Sequence, residues 1–390
     1  MELPGGNSLH WRVNRSVTET VVFIISLLVG LLISLSESWS KAVTFYVLPV
    51  GILYIRLLFL VGIPLACLGL FRGVRRLADA WRPGQVPRLA VTLFVLLTAG
   101  GGVLGLWLGY LTKPGLGLPF FPPEPGEVFR MVQLLLPEVL FLCFLGGLAI
   151  GKMDERGAAA GNTLESFAEL LGTMGEMLLR LAPAGVAALL IPLAALSGRQ
   201  ILAPLAKIIL LGGLVALAYG ALVYGLLLRR CGKDCLRHFR SFFLPVMLRA
   251  VTGCSSRRSA RESAHNLERM GVDPERAEAL VELGSLVNGP GTAFYLGLAL
   301  MVAIQFSGLV LIPGYYVVLA VLIVVAVWAG SGIPSGGLFL LLCLSQLLGL
   351  PAESVGLLVV AERFLDAVRT LLNVTGTGVT AYLADKLGWK

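Results

Sequence analysis

Charge is scarce in this chain. Of its 390 residues only 14% are Asp, Glu, Lys or Arg, with 23 acids against 31 bases, where a soluble domain carries about 25%. That excludes a disordered polypeptide and argues against a soluble enzyme. Histidine is scarcer still: His10, His238 and His265 fall in N-terminal or loop segments, and Ser255 and Ser256 have no His or Lys base at the same depth. An intramembrane enzyme, which needs a nucleophile with its base or a metal centre, is therefore disfavoured. The six cysteines are scattered, mostly in apolar runs where Cys acts as a small hydrophobe. They build no disulfide framework, and Cys231 and Cys235 with His238 fall short of a metal-ligand set. No cofactor and no firm metal site are expected.

Hydrophobic residues are what the chain has in quantity: 57% of the total, for a mean hydropathy of +0.86. Sustained over this length, that makes lipid the solvent for much of the fold. The excess of bases, a net charge of +8, gathers in short connections between apolar runs, where the tendency of cytoplasmic loops to be basic explains it without a nucleic-acid partner.

Eight apolar spans can be traced: Val21 to Leu35, Val43 to Phe71, Leu89 to Leu111, Val128 to Ile150, Phe167 to Leu196, Ile201 to Leu228, Val281 to Val310, and Ser354 to just before Lys386. The first follows Arg12 and Arg15 without a small-residue cleavage site, so it reads as an anchor. Arginines crowd the connections after the second span (Arg72, Arg75, Arg76, Arg82, Arg88) and the sixth (Arg229, Arg230, Arg237, Arg240), whereas intervening loops are nearly bare. This alternation predicts cytoplasmic N- and C-termini in a multi-pass protein of the cell (inner) membrane.

Two segments are too short or too broken to cross a core of about 30 Å. One runs from Phe242 through the small polar stretch Thr252 to Ser256. The other is a pair of half-length runs, Val317 to Trp328 and Leu338 to Leu350, separated by a Gly- and Pro-rich stretch at 329–337. Both read as re-entrant helical hairpins, the alternative for the second being an ordinary kinked helix. After each comes a span with a polar interruption, Asn288 to Thr292 and then Asn373 to Gly378. Paired broken elements at matching positions of inverted repeats point to a transporter site at mid-membrane.

The last span is informative, because Glu362, Asp366, Arg369, Thr370, Asn373 and Thr377 recur at spacings of three and four, one stripe of a helix. Three ionisable groups facing lipid would cost about 8 to 10 kcal/mol, so the stripe must line an interior. Arg369 can grip a carboxylate through its bidentate fork while Asp366 holds an ammonium. The alternative is an Asp366–Arg369 pair that only neutralises itself.

Arg369-Thr-Leu-Leu-Asn-Val-Thr-Gly376, Asn288-Gly-Pro-Gly-Thr292, the Cys254-Ser-Ser256 tip and Gly332-Ile-Pro-Ser-Gly336 resemble the four signature elements of the dicarboxylate/amino acid:cation symporters, the glutamate transporter homologues. Tyr54-Ile-Arg-Leu-Leu58 and Ala182-Pro-Ala-Gly-Val186 are similar too, so the likeness covers almost the whole chain in order. It implies an all-α homotrimer of eight transmembrane helices and two re-entrant hairpins, working as an elevator. Residues 16–78 and 127–198 would form the scaffold (helices 1–2 and 4–5). Residues 88–115 (helix 3) and 200–390 (helix 6, hairpin 1 at about 238–270, helix 7, hairpin 2 at about 316–350, helix 8) would form the moving domain. By position, Arg369 would bind the side-chain carboxylate of an acidic amino acid and Asp366 its amino group. Thr370, Asn373, Thr292, Ser255 and Ser256 would complete the pocket, and Gly332 and Pro334 would belong to the extracellular gate.

Departures from the family pattern concern coupling. Pro290 stands where the family's Asn-Met-Asp-Gly-Thr has a sodium-binding aspartate, Thr377 replaces a second one, and Val95 and Ala99 replace a tyrosine and a serine beside Thr98. Sodium wants several oxygen ligands, some anionic, so its coupling through Asn288, Thr98 and Thr377 is expected to be weak or lost. Arg257 and Arg258 add positive charge at the first hairpin tip, and one of them, Arg257 foremost, is expected to stand in for a cation; the alternative has both facing the cytoplasmic vestibule. A proton carried on Glu362, transport of a plain dicarboxylate, and a non-coupled anion channel or sensor of the same fold stay open.

Overall fold

The computed structural model describes residues 6–80, 86–117, 127–253, 256–330, 333, 336–350 and 352–387, with the side chains of some helical residues, 256–258 among them, outside that description. Among the described residues the regular structure is helical. In order run α1 (Gly6–Ile33), α2 (Glu37–Tyr46), α3 (Leu48–Ala80), α4 (Arg88–Thr112), α5 (Glu127–Lys152), α6 (Asp154–Arg180), α7 (Ala182–Ser197), α8 (Leu202–Ala206) and α9 (Gly212–Arg230). They continue with α10 (Lys233–Gly253), α11 (Ser256–Arg269), α12 (Pro274–Val287), α13 (Pro290–Phe306), α14 (Pro313–Ala329), α15 (Gly336–Leu347) and α16 (Ala352–Leu387). A helix satisfies its own backbone, which is what long apolar runs in lipid require.

Four described stretches are long and apolar enough to cross a bilayer: Glu37–Arg75, Arg88–Thr112, Ala182–Arg230 and Pro274–Phe306. Shorter apolar helices cover Thr18–Ile33, Leu135–Ile150, Pro313–Ala329 and Gly336–Leu347. Large apolar side chains such as Leu32, Phe45, Leu210 and Val317 stand exposed, a surface made for lipid rather than water.

At each expected hairpin two helices pack against each other, α10 with α11 and α14 with α15. In the first, Arg249 Nε lies 3.1 Å from Glu262 Oε2 across the two arms. The turn into α12 follows from its residues. Gly271 takes φ +85, the Val272 N–H donates to the Leu267 carbonyl at 3.1 Å, and Asp273 caps the helix by accepting from the Arg276 N–H at 3.1 Å.

Of the two expected interruptions, one exists and one does not. Helix α12 stops at Val287, Asn288 is extended (φ −91, ψ 97), and α13 restarts with Pro290 in its first turn. Residues 373–378, by contrast, lie within the continuous α16. The difference is chemical: Pro290 lacks an N–H and belongs at a helix start, whereas Asn373 to Gly378 weakens helix propensity without removing a donor, and burial of this stretch holds the helix together.

Helix α4 packs against α13 almost backbone to backbone. A Cβ added at Gly101 or Gly105 would strike the Pro290 or Phe294 carbonyl, and one at Gly297 would lie 2.5 Å from the Gly102 carbonyl. Such small-residue contact is how helices associate in lipid, where apolar burial alone gives no preference. Gln305 fastens the end of this pair, donating to the Gly109 carbonyl at 2.8 Å and accepting from the Gly115 N–H at 3.0 Å.

Candidate functional site

The polar stripe of α16 faces protein. Glu362 (2% exposed), Asp366, Thr370 and Thr377 are buried, and the Arg369 side chain retains 10% of its surface. Arg369 Nη2 donates to Asp366 Oδ1 and lies 3.5 Å from Glu362 Oε1. Its Cζ sits 5.9 Å from the centroid of Tyr295 on α13, close enough for the ring face to attract the cation. Nη1 has no hydrogen-bond partner among the described residues. It rests against Gly337 at the start of α15, where a Cβ would overlap it. Two carboxyl groups thus face one guanidinium, with one donor nitrogen unused.

One turn further along α16, Asn373 braces the start of α13. Its Oδ1 accepts from the N–H groups of Gly291 at 2.8 Å and Thr292 at 3.4 Å, and its Nδ2 donates to Thr292 Oγ1 at 2.9 Å. Free N–H groups at a helix N-terminus need such acceptors. Asn288, in the break, donates through Nδ2 to the Asn373 carbonyl at 3.2 Å and to Thr377 Oγ1 at 3.1 Å. Thr98 on α4 closes the other side, donating to the Val287 carbonyl at 3.2 Å and accepting from the Gly289 N–H at 3.0 Å.

The structure therefore brings together Arg369, Asp366 and Glu362 in one cluster, and Asn373, Thr292, Asn288, Thr377 and Thr98 in a second beside it. Ser255, Gly332 and Pro334 lie outside the described residues. Ser256, Arg257 and Arg258 open α11, and their side chains lie outside the description as well. Two participants were not singled out from sequence, Tyr295 and Tyr224, whose hydroxyl donates to the Leu372 carbonyl at 2.9 Å, and Gly337, expected in the gate stretch Gly332 to Gly337, was not expected against Arg369. A tyrosine inside an otherwise apolar run is the one signal that points to Tyr295 and Tyr224, because its hydroxyl must find a partner. A narrow crevice between α1, α3, α6, α7, α15 and α16 was equally invisible; Glu19, Tyr54, Leu338 and Glu362 line it.

Apolar helices wrapped around an ionised, protein-facing cluster define a multi-pass membrane protein with a charged interior site. The chain belongs to the sodium:dicarboxylate symporter family, whose sequence profile matches residues 20–387. It is a transporter and not an enzyme. Among curated relatives, the proton/sodium-glutamate symport protein of Bacillus subtilis (strain 168) is 22% identical over 94% of this chain and 92% of its own length. The proton/glutamate-aspartate symporter of Escherichia coli (strain K12) is 24% identical over 90% and 87%. The C4-dicarboxylate transport protein of Xanthomonas campestris pv. campestris (strain B100) is 23% identical over 87% and 82%.

Proposed function

We infer that this protein is a secondary transporter of acidic amino acids, aspartate or glutamate. The observation that carries the reading is Arg369: a buried guanidinium held by two carboxylates at one nitrogen and left without a partner at the other. A substrate carboxylate fits that free donor, and charge-assisted pairing in a desolvated site is strong. Asp366 then meets an ammonium, which favours an amino acid over a plain dicarboxylate. Ser255, Ser256, Thr370 and the Thr292–Asn373 pair supply further polar contacts in this reading, with Gly332 and Pro334 in the gate.

Movement follows the elevator scheme of a homotrimer. Helices α1–α3 and α5–α7 are the scaffold; α4 and α8–α16 carry the substrate, with the two hairpins re-entrant and both termini cytoplasmic. Sodium coupling is weakened or lost, and Arg257 or Arg258 compensates substrate charge. A proton-coupled variant has one observation in its favour: Glu362 lines a crevice together with a second carboxyl group, Glu19.

Uptake of labelled aspartate into proteoliposomes tests this. We expect uptake with choline replacing sodium, accelerated by unlabelled aspartate inside the vesicles. An uptake that needs sodium contradicts the coupling assignment, and an absence of trans-stimulation identifies a channel.

A further inference from the structure

Where α12, α13, α4 and α16 meet, three oxygens lie about the break at Asn288 and Gly289: the Asn373 carbonyl, Thr377 Oγ1 and Thr98 Oγ1. A sodium ion needs a cage of oxygens with free lone pairs, preferably one anionic. This crossing has Pro290 and Thr377 where the family resemblance would place two aspartates, and no carboxylate. Most of its oxygens are already engaged by internal protons, and Asn288 Oδ1 is the one without a hydrogen-bond partner among the described residues. Asn288 Nδ2 has two hydrogens, and two acceptors stand at 3.2 and 3.1 Å from it. Thr98 Oγ1 spends its proton on the Val287 carbonyl and a lone pair on the Gly289 N–H. With no carboxylate and only one unengaged side-chain oxygen, the residues present do not make a sodium cage.

Resting on the transporter reading above, we propose that the side-chain amide of Asn288 takes the place of a coupling cation, pinning the α12–α13 break to α16 so that the substrate site keeps its shape with no ion bound. The orientation of the amide follows from its neighbours. The Asn373 carbonyl can only accept, so turning the amide over would face two acceptors with no proton between them. Room for the amide comes from Gly376, where a Cβ would lie 2.9 Å from Asn288 Nδ2 and 2.8 Å from the Tyr224 hydroxyl. An amide held this way is neutral and permanent. It supplies the cross-link of an ion without its charge or its concentration dependence.

Thermal unfolding of the purified protein in NaCl and in choline chloride at equal ionic strength tests the proposal. The wild-type midpoint is expected to be the same in both salts. Asn288→Asp removes both donors and places a carboxylate among the same oxygens, so its midpoint is expected to climb by a few degrees, saturably, with NaCl alone. Asn288→Ala is expected to unfold earlier in both salts with no recovery in sodium. A saturable sodium protection of the wild type overturns the proposal, and so does an Asn288→Asp protein as indifferent to sodium as the wild type. If that variant does not fold, the wild-type titration decides alone. An aspartate titration in choline chloride, run beside these, separates the two readings: stabilisation there supports the transporter reading whatever sodium does, and its absence counts against that reading only.

Discussion

Arg369 has five N–H protons in a rigid fork and shares one of its nitrogens between Asp366 and Glu362. The arrangement orients the guanidinium and keeps the other nitrogen open, which a lysine cannot reproduce because its single ammonium would settle between the two acids. Arg369→Lys is therefore expected to weaken binding of acidic substrates by about 10- to 100-fold, measured by thermal shift or titration calorimetry. A variant with native affinity would show that the fork is not used. Asp366→Asn removes the partner for an ammonium but leaves the guanidinium. The ratio of C4-dicarboxylate to aspartate affinity is expected to rise by about 10-fold in that variant, and a ratio that does not move would place the amino group elsewhere. The acids and the arginine were legible in the sequence, since ionised groups recurring at helical spacing inside an apolar run have few places to go. The contacts of Gly337 and Tyr295 with Arg369 were not, because each joins residues far apart in sequence, and local pattern carries no record of that.

Helix α4 shows how an element is fixed by what it lacks. Gly101 and Gly105 bring its backbone against that of α13, and this contact holds Thr98 against the break at Asn288. Gly105→Val would drive a branched side chain into the Phe294 carbonyl, and overpacking of this kind costs about 1 to 3 kcal/mol or more. A lowered unfolding midpoint is expected, with loss of substrate protection, because Thr98 is displaced along with the helix. An unshifted midpoint would mean that the two helices are not in contact. The break in the seventh span was legible through Pro290, whose missing N–H is a local fact. The continuity of α16 through residues 373–378 was not: a Gly- and Thr-rich run reads as a weak helix, and only its burial among α9, α10, α12 and α13 decides that it stays wound.

On the scale of the whole molecule, hairpin α14–α15 lies against α3. A Cβ at Gly62 would meet the Phe339 ring at 2.6 Å, and one at Gly73 would meet the Trp328 carbonyl at 2.5 Å. If α3 stands still while the hairpin travels with its substrate, tying the two together must stop transport. In a background with Cys67, Cys143, Cys231, Cys235, Cys254 and Cys343 replaced by serine, the pair Gly62→Cys and Phe339→Cys is expected to cross-link on oxidation. Uptake should fall to background and return with a reducing agent; undiminished uptake by the cross-linked protein would exclude relative movement at this contact. The apolar composition announced the membrane, while the division into moving and static parts depends on which helices touch, something hydropathy cannot encode.

The interior charge of Arg369 is what substrate recognition depends on. The most direct measurement is aspartate binding to the purified protein, wild type against Arg369→Gln, in choline chloride. The account predicts saturable binding by the wild type and an affinity lower by at least about 100-fold in the variant, some 2.7 kcal/mol. Equal affinity in the two proteins would contradict it.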